Sequence, residues 1–102
     1  MNQQYFARLS AQESKRQASL LKPGWEIVDG HHLRRVYDLE GFAQGLKWVN
    51  QIGGLAEAMN HHPNIFLSFK QVSLEMYSHK LGGLCQADFA LASQIDDLDL
   101  SP

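Results

Sequence analysis

The sequence predicts an α+β fold with the element order α-β-β-α-β-β-α. Two observations indicate it. Three segments have the periodicity or the capping signals of helices, and two pairs of short segments enriched in β-forming residues lie between them. With 102 residues, the chain can bury one hydrophobic core but not two. We therefore expect a single domain that spans residues 1–102.

The first helix is predicted to start at Ser10, which stands three residues before Glu13 in the spacing of a reciprocal capping box. It should stop at the Lys-Pro-Gly sequence of residues 22–24. The segments WEIVDG and HLRRVYDL then predict two strands around a turn near Gly30. His31 and His32 follow that glycine directly, and we expect both to be exposed.

A long central helix is predicted from a cap at Asp38 to about Asn60. Two apolar arcs run along it. The arc predicted to face the core comprises Phe42, Leu46, Val49, Gly53 and Ala56. The second arc comprises Trp48, Ile52, Leu55 and Met59. A helix that is apolar on two sides is either enclosed by its own domain or contacts another subunit, and the latter predicts a homodimer or homotetramer through the second arc.

The segments NIFLSF and VSLEMYSH flank Lys70-Gln71 and predict a β-hairpin. If those two residues form the turn, every cross-strand pair on one face is apolar: Ile65 with Met76, Leu67 with Leu74, and Phe69 with Val72. The same register, continued past the strands, places His79 opposite His62 and therefore near His61. It predicts that three histidines meet at one end of the sheet.

The final helix is predicted to begin after LGGL, with Cys85 at the N-cap and Asp88 at the third helical position. Asp88 shares one helix face with Leu91, Ala92 and Ile95, so its carboxylate should point toward the sheet. Because Cys85 is the single cysteine, an internal disulfide and a multi-thiolate zinc site are both excluded.

Composition and charge exclude several function classes. The chain is 44% hydrophobic and 20% charged with a formal net charge of −2, and it has no basic patch that predicts direct nucleic-acid binding. No segment approaches the ~20 apolar residues of a membrane span, and the N-terminus lacks the apolar core of a signal peptide. We therefore expect a cytoplasmic protein without membrane contact.

His61, His62 and His79 are the candidate site residues, and the residues alone leave three interpretations open. The histidines can be structural, can act as general acids and bases, or can bind a metal. Metal binding is the least favoured, because adjacent side chains at a helix end point ~100° apart rather than toward one ion. Two acids, Glu57 and Asp88, are further candidate site residues. Glu57 can instead be an ordinary solvated helix residue, and Asp88 can instead be the acid of a helix capping box.

The spacing of these residues resembles the signature of the pterin-4a-carbinolamine dehydratases (4a-hydroxytetrahydrobiopterin dehydratases). The pattern comprises Glu57, His61-His62-Pro63, Phe69, His79 and Asp88. The resemblance extends to LSAQE, AEAMNHHP and SHKLGGLCQADFALASQID, and so covers nearly the whole chain. The chain departs from the family's usual residues at Phe69, Ser78 and Cys85, where the family has Tyr, Thr, and Ser or Thr.

The resemblance implies a four-stranded antiparallel sheet with three helices packed on one face. It also implies an enzyme that dehydrates the 4a-carbinolamine of tetrahydropterin to quinonoid dihydropterin during tetrahydropterin recycling, with no metal or cofactor. The roles that it implies are an acid/base pair of His61 and His79, a substrate-binding and orienting His62, and an Asp88 that orients or tunes a histidine. Glu57 would hydrogen-bond the pterin or steady His61, and the other implied substrate-binding residues are Pro63, Phe69 and Ser78.

The partners that the resemblance implies are a pterin, a second copy of the chain, and a protein such as an aromatic amino-acid hydroxylase. The rival interpretation is a non-enzymatic binding protein. Animal members of the family act as dimerisation partners of a homeodomain transcription factor, and some photosynthetic relatives without the histidines assist enzyme assembly. This chain has the three histidines of the pattern, which favours the enzyme.

Overall fold

The computed structural model describes residues 6–100, so residues 1–5 and 101–102 of the expected domain lie outside the described part. Within it, three helices and one four-stranded antiparallel sheet follow the predicted order, and the fold prediction is confirmed. The elements are α1 Ala11–Ala18, β1 Glu26–Val28, β2 His32–Asp38, α2 Phe42–Met59, β3 Asn64–Leu67, β4 Gln71–Met76 and α3 Gln86–Asp96. The strand order β1-β2-β4-β3 makes β1 and β3 the edges of the sheet.

Helix α1 begins at the predicted cap, where the Ser10 hydroxyl accepts the backbone N–H of Glu13 at 3.1 Å. The predicted reciprocal hydrogen bond, from the Ser10 backbone N–H to the Glu13 carboxylate, is replaced: the Glu13 carboxylate accepts from the side chains of Arg16 and Gln17 instead. The helix ends at Ala18, before the predicted Lys-Pro-Gly stop. The chain then enters the β1-β2 hairpin, whose turn residues Asp29 and Gly30 both have positive φ, as a type I′ turn requires.

Helix α2 starts later than predicted and buries a different face. Asp38 pairs with Gln71 at the end of β2, so Gly41 becomes the N-cap. Phe42 and Leu46 are 44% and 47% exposed, so their assignment to the core is wrong. The buried face comprises Gly45, Trp48, Ile52 and Ala56.

The predicted intersubunit arc is therefore also wrong, since Trp48 and Ile52 are buried inside their own subunit. Gly45 explains the choice of face. A Cβ atom there would lie 2.5 Å from a methyl carbon of Leu67 and 2.7 Å from one of Leu39, so any larger residue would require these two side chains to move. Trp48 then packs edge-to-face on Tyr37 at a ring distance of 5.6 Å.

The β3-β4 hairpin forms, but its predicted register is wrong by two residues. Ile65 pairs with Leu74 and Leu67 with Val72. The backbone N–H of Ser68 donates to the Gln71 carbonyl at 2.9 Å, so the turn residues are Phe69 and Lys70. Side chains alternate with a period of two along a strand, so a slip of two residues leaves every side chain on its predicted face.

The core lies between one face of the sheet and the helices. The fully buried sheet residues are Leu33, Val72, Leu74 and Met76, and α3 contributes Leu91, Ala92 and Ile95. Helix α3 starts where the sequence predicts, with Cys85 as its N-cap. Asp88 is buried on the same face, as predicted. None of the described helices combines the length and the apolar character needed to cross a membrane.

Candidate active site

The end of α2 presents two adjacent histidines because the helix stops in a left-handed residue. Asn60 has φ 51° and ψ 41°, and the backbone N–H of His61 donates back to the Ala56 carbonyl at 3.1 Å. This six-to-one hydrogen bond is typical of a Schellman motif, which satisfies a helix-end carbonyl and turns the chain away from the helix axis. Pro63 follows and prevents the helix from resuming.

His61 is held by the buried carboxylate of Asp88. Its Nε2 lies 2.6 Å from Oδ1 of Asp88, and the two side chains are 15% and 0% exposed. The other carboxylate oxygen accepts the backbone N–H of Cys85 at 2.9 Å. A carboxylate on Nε2 favours the tautomer that carries the proton there, which leaves Nδ1 of His61 as the nitrogen available for chemistry.

His62 contacts Glu57 instead. Its Nε2 lies 2.8 Å from Oε2 of Glu57, and both side chains are exposed, by 56% and 79%. Glu57 thus contacts His62 rather than His61, and its other expected role, a hydrogen bond to the pterin, stays a prediction. The helix ends at Asn60, whose left-handed conformation breaks the i, i+4 geometry expected between Glu57 and His61.

His79 lies in the loop that follows β4. Ser78 closes this loop through its backbone, donating to the Gly83 carbonyl at 2.9 Å and accepting from the Gly82 N–H at 3.0 Å. The imidazole of His79 is exposed and packs on the ring of Tyr77, with a centroid distance of 4.4 Å. The loop is thus fixed at its base, while the His79 side chain stays accessible.

The three histidines line one cleft of about 230 Å³, together with Asn60, Tyr77, Ser78 and Lys80. The structure brings Ser78 to the cleft and Asp88 directly behind it through His61. It does not bring Phe69 there. Phe69 is 65% exposed at the hairpin turn, at the opposite end of β3 from His62.

Tyr77, Asn60 and Lys80 are cleft residues that the sequence reasoning missed. Period-two alternation along β4 could have indicated Tyr77, because it follows Glu75 on the face opposite the buried Met76. His31 and His32, expected to be exposed, are instead partly buried beside Tyr77. The type I′ turn at Asp29-Gly30 reverses the chain immediately before them.

Cys85, the N-cap of α3, is a free and buried cysteine. Burial raises the pKa of the Cys85 thiol, and the Asp88 carboxylate raises it further, so the thiol is held in its unreactive form.

Within residues 6–100, no cluster of three or more His, Cys, Asp or Glu side chains has the arrangement of a metal centre.

The fold and the cleft define a small α+β protein whose conspicuous chemistry is a group of three imidazoles, one of them held by a buried carboxylate. Residues 7–98 match the family described as pterin 4 alpha carbinolamine dehydratase. The chain belongs to this family.

Two similar proteins agree with this membership. A protein of Rubrobacter xylanophilus, provisionally named a pterin-4-alpha-carbinolamine dehydratase, is 42% identical over 90 residues, which cover 88% of this chain and 83% of that protein. A protein of Alkaliphilus metalliredigens with the same provisional name is 39% identical over 88 residues, covering 86% and 79% of the two chains.

Two solved structures share the fold. The transcriptional coactivator/pterin dehydratase from Brucella Melitensis superposes with a TM-score of 0.82 at 25% identity, over 89% of this chain and 97% of that one. A pterin dehydratase-like protein described as a RuBisCO assembly factor in the alpha-carboxysome has a TM-score of 0.60 at 22% identity, over 72% and 87% of the two chains. The second likeness concerns the fold alone.

Proposed function

We propose that this protein dehydrates 4a-hydroxytetrahydropterins to quinonoid dihydropterin and water by general acid/base catalysis on imidazole groups. The observation that carries the proposal is the convergence of His61, His62 and His79 on one cleft, with Asp88 behind His61. Family membership supports the reaction class. Imidazole supports the chemistry, because it titrates near neutral pH and can serve as either acid or base.

The reaction needs one proton given and one proton taken. An acid protonates the 4a-hydroxyl, the C4a–O bond breaks, and the oxygen leaves as water. The lone pair of N5 forms the C4a=N5 double bond, and a base accepts the N5 proton. One protonated and one neutral imidazole are sufficient: the acid ends the reaction neutral and the base ends it protonated, and proton exchange with solvent restores the starting states before the next turnover.

His61 and His79 are the proposed acid/base pair. With Nε2 of His61 engaged by Asp88, its Nδ1 is the nitrogen that exchanges a proton with the substrate. The exposed imidazole of His79 in the same cleft is the second proton-transfer group. The carboxylate of Asp88 fixes the ring orientation and the tautomer of His61, which is the usual contribution of an acid hydrogen-bonded to a catalytic histidine.

The remaining site residues are proposed to bind the substrate or to support the shape of the cleft. His62 is the proposed substrate-orienting group, and its pairing with Glu57 holds it at the cleft. Ser78 shapes the wall through the loop that it closes, and Pro63 fixes the chain after His62. Phe69 has no place in the proposed site of one subunit, because it lies at the far end of the hairpin.

The proposal is tested by following freshly generated 4a-hydroxytetrahydropterin by ultraviolet absorbance, with and without the protein. We expect the protein to accelerate dehydration well above the spontaneous rate, and the double variant His61→Ala/His79→Ala to lose that acceleration. A wild-type protein that leaves the spontaneous rate unchanged would contradict the proposal. The proposal also implies a cytoplasmic protein that receives its substrate from a pterin-dependent hydroxylase.

A rival function is non-enzymatic binding of another protein, and the apolar exposure of α2 is the observation that favours it. Phe42 and Leu46 lie one turn apart and are both about half exposed. We propose that a second copy of this chain covers them in a homodimer or homotetramer, which is compatible with the enzyme. A monomeric, catalytically inactive protein would instead favour a foreign partner at this face.

A further inference from the structure

A row of four aromatic rings runs from the cleft to the β1-β2 turn. The ring of Tyr77 lies 4.4 Å from that of His79 and 4.4 Å from that of His31, measured between ring centroids. Nδ1 of His31 lies 3.1 Å from Nδ1 of His32. The row connects a proposed catalytic imidazole to two histidines that the proposed mechanism does not use.

Sheet pairing and turn geometry build the row. Leu33 pairs with Met76, which places the start of β2 beside the end of β4 and brings His32 next to Tyr77. The His31 backbone N–H donates to the Val28 carbonyl at 2.9 Å, closing the tight turn that delivers His31 onto the Tyr77 ring. The position of His31 therefore depends on the hairpin rather than on chance packing of an exposed loop.

The far end of the row is anchored by polar contacts. The contact between the two Nδ1 atoms requires one ring to donate and the other to accept, so at least one of these nitrogens carries no proton. Nε2 of His32 lies 3.6 Å from Oε2 of Glu75, within ion-pair range, and Glu75 pairs across the sheet with Arg34. These contacts link His31, through His32, to Glu75 in the middle of the sheet.

The His79 end of the row is the part that bears on the proposed proton transfer. His79 is exposed on a loop, and within residues 6–100 Tyr77 is the aromatic residue that packs on its ring. The two rings are inclined by 53°, and those of His31 and Tyr77 by 44°. An exposed imidazole without such a contact would sample several rotamers, whereas packing on a supported ring restricts it.

We propose that Tyr77 and His31 are positioning residues for His79, and that they hold its imidazole in the orientation needed for proton transfer. The inference rests on the proposed function for its kinetic consequence. The ring contact itself can be measured without any substrate. The aromatic ring of Tyr77 is the part assigned this role, because its contacts with His31 and His79 are ring contacts.

The test compares four variants with wild type by two readouts. Tyr77→Leu removes the ring, Tyr77→Phe keeps it, and His31→Leu removes the support behind it. Phe66→Leu is the matched control, since Phe66 is an exposed aromatic residue on the edge strand β3 and outside the row. The readouts are the imidazole C–H resonances of His79 in NMR spectra, assigned by their loss in His79→Ala, and the kcat and KM for dehydration.

We expect Tyr77→Leu to shift the His79 resonances toward free-histidine values, because the ring current of Tyr77 is lost. The same variant should lower kcat about tenfold, a size in the range of one aromatic pair, with KM changed less than about twofold. His31→Leu should change both readouts in the same direction by a smaller amount. Tyr77→Phe, which keeps the ring, should retain the His79 resonances and lose much less kcat than Tyr77→Leu, and Phe66→Leu should match wild type in both readouts.

Several results would overturn the inference. Unchanged His79 resonances in Tyr77→Leu would show that the rings are not in contact in solution. A loss in Tyr77→Phe as large as that in Tyr77→Leu would assign the effect to the hydroxyl. Shifted His79 resonances together with an unchanged kcat in Tyr77→Leu would contradict the positioning role. If Tyr77→Leu fails to fold, as judged by its amide spectrum, His31→Leu provides the test: unchanged His79 resonances and unchanged kcat in that variant would contradict the inference. A wild-type protein without dehydratase activity would refute the proposed function, and with it the catalytic purpose of the row, even if the resonances shift.

Discussion

The carboxylate of Asp88 binds His61 Nε2 through one oxygen at 2.6 Å and the N-cap of α3 through the other at 2.9 Å. The start of α3 and the end of α2 are therefore joined by one fully buried side chain. Both oxygens of this carboxylate have hydrogen-bond partners, which offsets the cost of removing them from water. The geometry of the proposed catalytic histidine is thus set by the same contact that starts a helix.

Replacing Asp88 should affect activity and stability to different extents. Asp88→Asn keeps the shape but replaces a carboxylate, which only accepts, by an amide that can also donate, so the ring and tautomer of His61 are no longer fixed and we expect kcat to fall about 10- to 100-fold. Asp88→Ala also leaves the Cys85 N–H without its buried acceptor, which should lower the free energy of unfolding by about 1–3 kcal/mol. Activity assays and urea denaturation measure the two effects. Asp97→Asn, at an exposed position, is the control and should change neither.

The three histidines should differ in the kinetic parameter that they affect. General acid/base groups typically contribute 10²–10⁴-fold, so His61→Ala and His79→Ala should each lower kcat by at least about a hundredfold. His62→Ala should raise KM instead, as expected for a contact made equally in the ground and transition states. The double variant His61→Ala/His79→Ala should lose less than the sum of the single effects, because both serve one proton-transfer network. Near-native kcat in all three single variants would refute the catalytic assignment.

Removal of divalent metal should leave the activity unchanged. The proposed pair consists of imidazoles, and the adjacent His61 and His62 make separate contacts with Asp88 and Glu57. We therefore expect protein treated with a chelator and then desalted to keep its full rate of dehydration. A rate that falls on treatment and returns on addition of Zn²⁺ would show that a metal takes part. Untreated protein carried through the same desalting step is the control.

Cys85 should resist alkylation in the folded protein. Burial raises its pKa, so the reactive thiolate is less populated than in a free cysteine at any pH below that raised value. The side chain is also inaccessible to reagent. We expect iodoacetamide to label the native protein slowly at pH 8 and the urea-unfolded protein rapidly, as measured by mass spectrometry. Comparable rates in the two states would mean that the N-terminus of α3 opens readily.

Self-association should depend on the exposed face of α2. Light scattering at micromolar concentration should give the mass of a dimer or tetramer, and Phe42→Ser combined with Leu46→Ser should reduce it, because burial of these side chains would be lost. Leu20→Ser provides the matched control, since Leu20 is 75% exposed and lies away from α2. A monomeric wild-type protein would contradict this prediction.

The element order and the start of α3 were predictable because their signals are local. Cys85 and Asp88 are three residues apart, and the shared face of Asp88 and Leu91 follows from helical periodicity alone. The end of α2 was similarly predictable from Asn60 and Pro63. These features depend on residues within one helical turn of each other.

Two errors arose where a local pattern allows two solutions of similar quality. A hairpin slipped by two residues has the same apolar face, so hydrophobic sorting could not separate the predicted register from the observed one. The two apolar arcs of α2 satisfy the same periodicity. At Gly45 the buried arc lies close to Leu39 and Leu67, and the contact with Leu67 joins α2 to β3 across 22 positions of the chain.

By itself, the sequence determined that three histidines and two acids stand at the ends of neighbouring elements, because the spacing along one chain decides which residues end a helix or strand. Only the tertiary structure decided which of them touch. The packing of α3 beside α2 joins Asp88 to His61 across 27 positions, and the strand order brings His31 onto Tyr77. Contacts between elements depend on how whole faces pack, which no short-range periodicity specifies.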